Sequence, residues 1–312
     1  MRFGATVDGG PVREAAPDVL QRWLCGGAGR FVLTRGDADY PSSLLHLNDP
    51  PPAIFGAGRR DLLRAPAFAI VGSRNATEQG KSNARAFSSH LARVGYCIVS
   101  GMARGIDSAA HRGALDAGGG TIAVLGTGID IVYPPSNRSL AEALERDGLL
   151  IAEFPPGTGV RRDHFPRRNR IIAALARGVL VAEATLRSGS LITARWAADL
   201  GREVFALPGS IHAPMHRGCH RLIRDGAKLV ESAQDILEEL PDAGVLDLTT
   251  QPAPPGSGAD RRLAAMGYDP IDLDTLATRL REAPGSLAAA LLELELMGKV
   301  ERLPGNRYQR LV

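Results

Sequence analysis

Between Gly157 and Arg170 five arginines (Arg161, Arg162, Arg167, Arg168 and Arg170) face a single acid, Asp163. Three of the five fall in "HFPRRNR" (164–170), which opens a segment whose Ile171, Ile172 and Leu175 have the spacing of an apolar helix face. A helix N-terminus already carries partial positive charge, so cations gathered there are unfavourable unless an anion lies across them. The chemistry this set can do is to grip phosphate, because guanidinium forks match phosphate oxygens and unpaired amides add to the pull. Phe165 inside the cluster adds a face for a base, and stacking between flanking arginines holds an unpaired strand without reading its sequence. The competing reading makes Phe165 a core residue and leaves the arginines solvated or paired to Glu153 and Glu183.

Five further loops share the pattern of glycine beside Ser, Thr, Asn or Arg: "GSRNAT" (72–77), "SGMARGID" (100–107), "GTGIDIVYPPSN" (126–137), "EATLRSGSLIT" (183–193) and "PGS" (208–210). Singly each is a turn; together, at one edge of a sheet, they frame an anion-binding crevice in which glycine lets backbone amides come close. The candidate contacts are Gly72, Ser73 and Arg74 of the first loop and Gly101 of the second. Arg162, Phe165, Arg167, Arg168 and Asn169 come from the arginine segment, and Ser188, Gly189 and Ser190 from the "RSGS" loop. Neither GxGxxG after the first strand nor GxxxxGK[ST] is present, so a dinucleotide or a P-loop nucleotide is not expected, and no cofactor is assigned. No nucleophile elbow occurs.

The elements that must position these loops alternate from residue 66 to about 240. Apolar runs such as "AFAIVGS", "YCIVSG", "TIAVLGTG", "LLIAEF", "GVLVAEA" and "EVFALPG" are separated by helical stretches of ten or so residues. Such alternation predicts an α/β fold, a doubly wound, Rossmann-like parallel sheet covered on both faces, with ligands outside the carboxyl ends of the strands. Residues 1–65, rich in Gly and Pro, read as a small N-terminal appendage with a short strand at "RFVLT". Residues 241–258 have linker composition. Residues 259–312 read as a winged helix, with two helices at "LDTLATRLREA" and "SLAAALLELELMG" and a hairpin at "KVERLPGNRYQRLV".

Bulk properties narrow the classes. Hydrophobic residues make up 44% and charged residues 23%, and the net charge of +3 is mild. Cys25, Cys97 and Cys219 stand apart without a CxxC pair, as expected in a reducing compartment. No signal pattern or membrane-length apolar run occurs, so a cytoplasmic protein is expected. "HAPMHRGCH" (212–220) fits no standard zinc spacing and reads as a loop and helix start. Asp107, Asp130, Glu153 and Glu183 are the carboxylates a Rossmann-type nucleotide hydrolase, the alternative reading, would use, but strand-end carboxylates more often cap helices or pair with arginines, and the chain lacks a PGGxGTxxE-like loop. A third reading is a winged-helix regulator with the core as ligand sensor. From Asp260 onward eight basic residues balance eight acidic ones, and the would-be recognition helix carries Glu293 and Glu295 with no cation before Lys299. A major-groove reader needs phosphate-neutralising charge, so a protein-contact role is expected there.

In order along the chain, "IVGSR", "SGMARGID", "GTGIDIVYPPSN", "EFPPGT", "HFPRRNRIIAALA", "VAEATLRSGSLITA" and "VFALPGS" resemble the DNA-processing protein A family over about residues 40–240. The resemblance implies a non-enzymatic, Rossmann-like core that binds single-stranded DNA, forms a homodimer and helps load the RecA recombinase during natural transformation. By the family pattern, Arg74, Arg162, Phe165, Arg168 and Asn169 form the DNA pocket. Many members carry a helical domain of SAM-like type before the core, which residues 1–30 are too short and too rich in Gly and Pro to supply. The winged helix occurs in some members and not in others.

Overall fold

The structure, a computed structural model, describes residues 17–240, 262–263, 265–267 and 270–311. The linker expected at 241–258 lies outside them. A nine-stranded sheet carries the fold, built from β1 (Arg30–Thr34), β2 (Ala53–Gly58), β3 (Ala67–Val71), β4 (Cys97–Ser100), β5 (Thr121–Gly128), β6 (Leu149–Phe154), β7 (Gly178–Val181), β8 (Glu203–Ala206) and β9 (Lys228–Leu229). Their spatial order is β1-β2-β6-β5-β4-β3-β7-β8-β9. From β6 to β9 every neighbouring pair is parallel, whereas β1–β2 and β2–β6 are antiparallel.

Helices α1 (Pro17–Cys25), α2 (Glu78–Arg93), α3 (Ile106–Asp116), α4 (Arg138–Asp147), α5 (His164–Leu175), α6 (Ser190–Asp199), α7 (Arg217–Arg224) and α8 (Ala233–Glu239) cover the two faces. Alternation within the strands decides which face each residue joins. Ala67, Ala69 and Val71 of β3 pack with Ile171 and Ile172 of α5 and Ala194 of α6, while Phe68 and Ile70 pack with Leu91 of α2 and Ile106 of α3. A smaller core under α4 gathers Leu140, Leu144, Leu125 and Leu150 with Trp23 of α1. Being apolar on both sides, the central strands appear in the sequence as continuous runs rather than alternating ones.

Chain direction across the sheet reverses at β3, whose successors β4, β5 and β6 lie on one side and β7 and β8 on the other. The loops after β3 and β7 therefore diverge and leave a crevice at the switch point. The sheet does not begin at residue 66, as the composition led one to expect. Residues 30–58 supply two of its strands, and Leu33, Leu44 and Ile54 are fully buried in its main core. The doubly wound sheet itself agrees with the sequence reading.

At the C-terminal end, β10 (Ile271–Asp272), β11 (Val300–Leu303) and β12 (Arg307–Arg310) form a separate sheet in the order β10-β12-β11. It packs with α9 (Leu273–Leu280) and α10 (Pro284–Leu296) through Leu276, Leu280, Leu287, Leu291 and Tyr308. This is the expected winged helix. Asp272 caps α9 by accepting from the Thr275 amide at 2.8 Å.

Candidate nucleic-acid interface

A crevice of about 830 Å³ opens at the switch point, within the range of sites that hold small ligands. Its walls are Gly72, Ser73 and Arg74 after β3, Arg162, Phe165, Arg168 and Asn169 around the start of α5, and Ser188, Gly189 and Ser190 at the start of α6. Ten of the twelve expected contacts thus line one hollow, although their loops lie far apart in sequence.

Phe165 sits half-buried at the mouth. The Arg74 guanidinium lies over its ring at 5.2 Å, and Tyr133, itself 40% exposed, faces it at 5.6 Å with the planes tilted by 42°. Gly126 makes this seat possible, because a Cβ there would come within 2.8 Å of the Phe165 ring. A register shift in β5 between Leu125 and Gly128 bends the strand at this point. The result is an aromatic platform edged by a cation.

The arginines divide into three groups. Arg167 and Arg170 donate to Glu153, at 2.9 and 2.5 Å, and Arg161 pairs with Asp163 at 3.0 Å. Arg168 is buried and donates to the carbonyls of Gly101, at 2.6 Å, and Val124 and, at 3.2 Å, to Asn169 Oδ1. Arg74, Arg162 and Arg187 are exposed and form no ion pair among the described residues. These three are the cations available to a bound anion.

Two expected contacts therefore need correction. Arg167 turns away from the crevice to Glu153 and Asp49 and lies over the Phe154 ring at 5.9 Å. Gly101 lies behind Arg168 rather than in the wall, and a Cβ on it would meet that guanidinium at 2.6 Å. Arg168 itself reaches the crevice only as part of its frame. Burial pulls its guanidinium down to about 10, and burial likewise raises the Asp107 carboxyl, opposed by the Arg168 charge. Tyr133, Asn75, Arg187 and Ile192 line the hollow without having been singled out. Arg187 carried a legible signal, standing immediately before the glycine turn at the start of α6.

The strand-end carboxylates are engaged in the framework. Glu183, 1% exposed, accepts from the Thr77 amide at 2.9 Å and from its hydroxyl at 2.6 Å, fixing the residue that caps α2. Asp107 accepts from the Ala103 amide at 3.3 Å, and Asp130 from the Gly157 amide at 2.9 Å. Burial raises the Glu183 carboxyl, against the hydrogen bonds from Thr77. Within the "HAPMHRGCH" stretch Cys219 is buried, its thiol pushed up to about 12 by desolvation, and its sulfur donates to the Val181 carbonyl at 3.5 Å.

At the start of α6, Asn169 Nδ2 donates to the Gly189 carbonyl at 3.2 Å and ties the two helix N-termini together. The Ser190 hydroxyl is buried and has no partner among the described residues. Exposed cations, helix amides and an aromatic platform on one hollow suit a phosphate-linked chain better than a lone small anion.

Residues 31–241 match the family model "DNA recombination-mediator protein A", about two thirds of the chain. The chain belongs to the DNA recombination-mediator protein A family. Residues 247–306 match the DprA winged helix domain. Among relatives of this family, the DNA processing protein DprA of Streptococcus pneumoniae is 50% identical over 203 residues, covering 65% of this chain and 72% of that protein. Protein Smf of Synechocystis is 39% identical over 316 residues, covering 89% and 79%. The X-ray structure of the S. pneumoniae protein superposes with a TM-score of 0.65 at 48% identity over 68% of this chain and 75% of that one. DNA processing protein A of Helicobacter pylori, whose structure describes a single-stranded DNA binding mode, superposes with a TM-score of 0.62 at 29% identity over 67% and 95%.

Proposed function

We propose that this member of the family binds single-stranded DNA in the switch-point crevice and acts as a recombination mediator, loading RecA on incoming strands during natural transformation. The observation that carries the binding is the Phe165 platform with Arg74 across its ring, flanked by the unpaired Arg162 and Arg187. A base stacks on Phe165 while the guanidinium groups and the amides of Gly189 and Ser190 take the adjoining phosphates. The H. pylori relative described as binding single-stranded DNA supports the substrate class. The direct test is anisotropy with a single-stranded oligonucleotide and its duplex. Wild type favours the single strand, and Arg74→Ala loses about tenfold or more, the scale of a charge-assisted contact. Equal binding of duplex, or an unchanged Arg74→Ala, would refute the assignment.

The role is one of binding, not catalysis. Glu183, Asp107 and Asp130 accept hydrogen bonds from backbone amides and Glu153 neutralises two arginines, which leaves the hydrolase reading without a free carboxylate pair. Among the described residues no helix is long and apolar enough to cross a membrane. A homodimer is the assembly we favour. Ile211 and Leu229 are 73% and 49% exposed, beside Pro208 and Ile223, at the end of the sheet where β9 is the edge strand. For the winged helix we favour protein contact: Leu292 and Leu296 of α10, and Met297 just after it, are exposed next to Glu293. RecA assembly on a strand precoated with a single-strand-binding protein, with and without this protein, tests the mediator role.

A further inference from the structure

Among the described residues the crevice wall holds two aromatic side chains, Phe165 and the exposed Tyr133. At 5.6 Å and a tilt of 42° the rings touch, so no base enters between them and they form a step. Behind Tyr133 the wall passes into the loops before α3 and α4, which one buried side chain ties together. Asn137 Nδ2 donates to the Met102 carbonyl at 2.8 Å and to Ser108 Oγ at 2.9 Å, and that hydroxyl donates to the Ala103 carbonyl at 2.6 Å. The residues next along from this tie are two exposed arginines, Arg104 after Ala103 and Arg138 after Asn137. Ala103 and Asp107 line the crevice, which sets Arg104 at its rim.

Neither arginine forms an ion pair or a side-chain hydrogen bond among the described residues. The acids nearby are engaged elsewhere or stand apart. Asp107 is buried and accepts from the Ala103 amide, and Asp130 accepts from the Gly157 amide through both oxygens, at 2.9 and 3.0 Å. Glu142, one helical turn along from Arg138, forms no ion pair with it. An exposed ring beside uncompensated guanidinium groups suits a ligand with flat faces and anions linked in series. A peptide with acidic and aromatic side chains would match the same groups. Tyr133, however, belongs to the crevice wall, so the ligand already in the crevice reaches it without a second binding event. The inference therefore rests on the crevice reading.

We propose that the strand held at Phe165 continues over Tyr133 and along the loops before α3 and α4, which form a second nucleotide subsite. One base sits on Phe165 and a neighbouring one on Tyr133, while Arg104 and Arg138 take the phosphates beyond it. Both arginines stand on the β4–β5 side of the switch point, away from the β9 edge.

Anisotropy titrations of the full chain with oligothymidylates of about 4 to about 15 nucleotides test this. In wild type the affinity climbs with length until the second subsite is filled. The double variant Arg104→Ala/Arg138→Ala, at wild-type oligomeric mass, binds the shortest strands like wild type and loses about tenfold on the longest. Its log–log salt slope on the longest strands falls by about 1.4, that is about 0.7 for each lost phosphate contact. Tyr133→Ala also loses about tenfold on the longest strands, and Tyr133→Phe, which keeps the ring face, restores most of that affinity. Equal loss at every length for the arginine pair overturns the proposal, as does a changed oligomeric mass. Loss at no length overturns it too and gives the patch to a protein partner. A Tyr133→Phe defect as large as that of Tyr133→Ala removes stacking on this ring and the subsite with it. Failure of the crevice reading looks different: wild type would then not hold the shortest strands, or Arg74→Ala would not weaken them.

Discussion

Arg168 lines the crevice and at the same time holds its frame together. Three residues after Phe165, it reads in the sequence as a phosphate contact, and in the structure its guanidinium donates to the Gly101 and Val124 carbonyls and to Asn169. It joins the carboxyl ends of β4 and β5 to α5, and through Asn169 to the start of α6. Replacing it leaves buried carbonyls without a donor and Asp107 without its main compensating charge, a change that costs about 3 kcal/mol or more. We therefore expect Arg168→Ala to lower the melting temperature markedly, whereas Arg74→Ala leaves it within about a degree or two. Both weaken strand binding, the first through a slackened crevice and the second through a lost contact. Thermal melts alongside binding isotherms separate the two, and a fully stable Arg168→Ala would show that its carbonyl bonds carry little.

At the scale of elements, the phase of α5 decides which arginines face the crevice. Phe165, Arg168, Asn169 and Ile172 are spaced i, i+3, i+4 and i+7 and line the crevice, while Arg167 and Arg170, three apart, fall on the side of Glu153 and Asp49. The strands were legible because both faces are buried, which writes each as an unbroken apolar run. The glycine loops were legible because close approach leaves few alternatives. Helical phase was present in the spacing but needed a partner to fix it, and the buried acid that selects Arg167 and Arg170 comes from β6, more than ten residues earlier. The antiparallel addition of β1 and β2 was hidden because Gly- and Pro-rich flanks surround two short strands that pair with each other and reach the sheet only where β2 meets β6, distant in sequence.

The packing of α3 makes a separate prediction. His111, fully buried, bonds through Nδ1 to Thr121 Oγ1 at 2.7 Å, and that hydroxyl donates to the Ile98 carbonyl at 2.7 Å. The hydroxyl proton being used, Nδ1 carries the hydrogen and the imidazole is neutral. Burial, reinforced by the Arg168 charge, holds its pKa down at about 3 against an ordinary 6.5. A base depressed by folding contributes stability that is complete above about pH 6.5 and is lost as the pH falls toward 3, at up to about 1.4 kcal/mol per pH unit. His111→Gln removes that term, so it is less stable than wild type at pH 7 but has a shallower decline on acidification. Urea midpoints between about pH 4 and 7 for the two proteins test this, and parallel declines would rule it out.

Across the whole molecule, the apolar patch at the β9 edge and the crevice at the switch point lie on the same half of the sheet, separated by β7, β8 and the helices over them. A dimer through that edge, the assembly proposed above, would set two crevices on one particle. A strand long enough to enter both binds the second intramolecularly, at an effective concentration of about millimolar, and gains about a hundredfold or more without any new contact. A strand too short to bridge gains nothing. The double variant Ile211→Asp/Leu229→Asp places charge on both exposed apolar positions while leaving every crevice residue in place. It is expected to run at monomer mass in light scattering, to hold short oligonucleotides like wild type, and to lose about a hundredfold on long ones. Wild type that is monomeric at the concentrations used for binding, or a monomeric variant with undiminished affinity for long strands, would remove avidity from the account and leave the crevice to act alone.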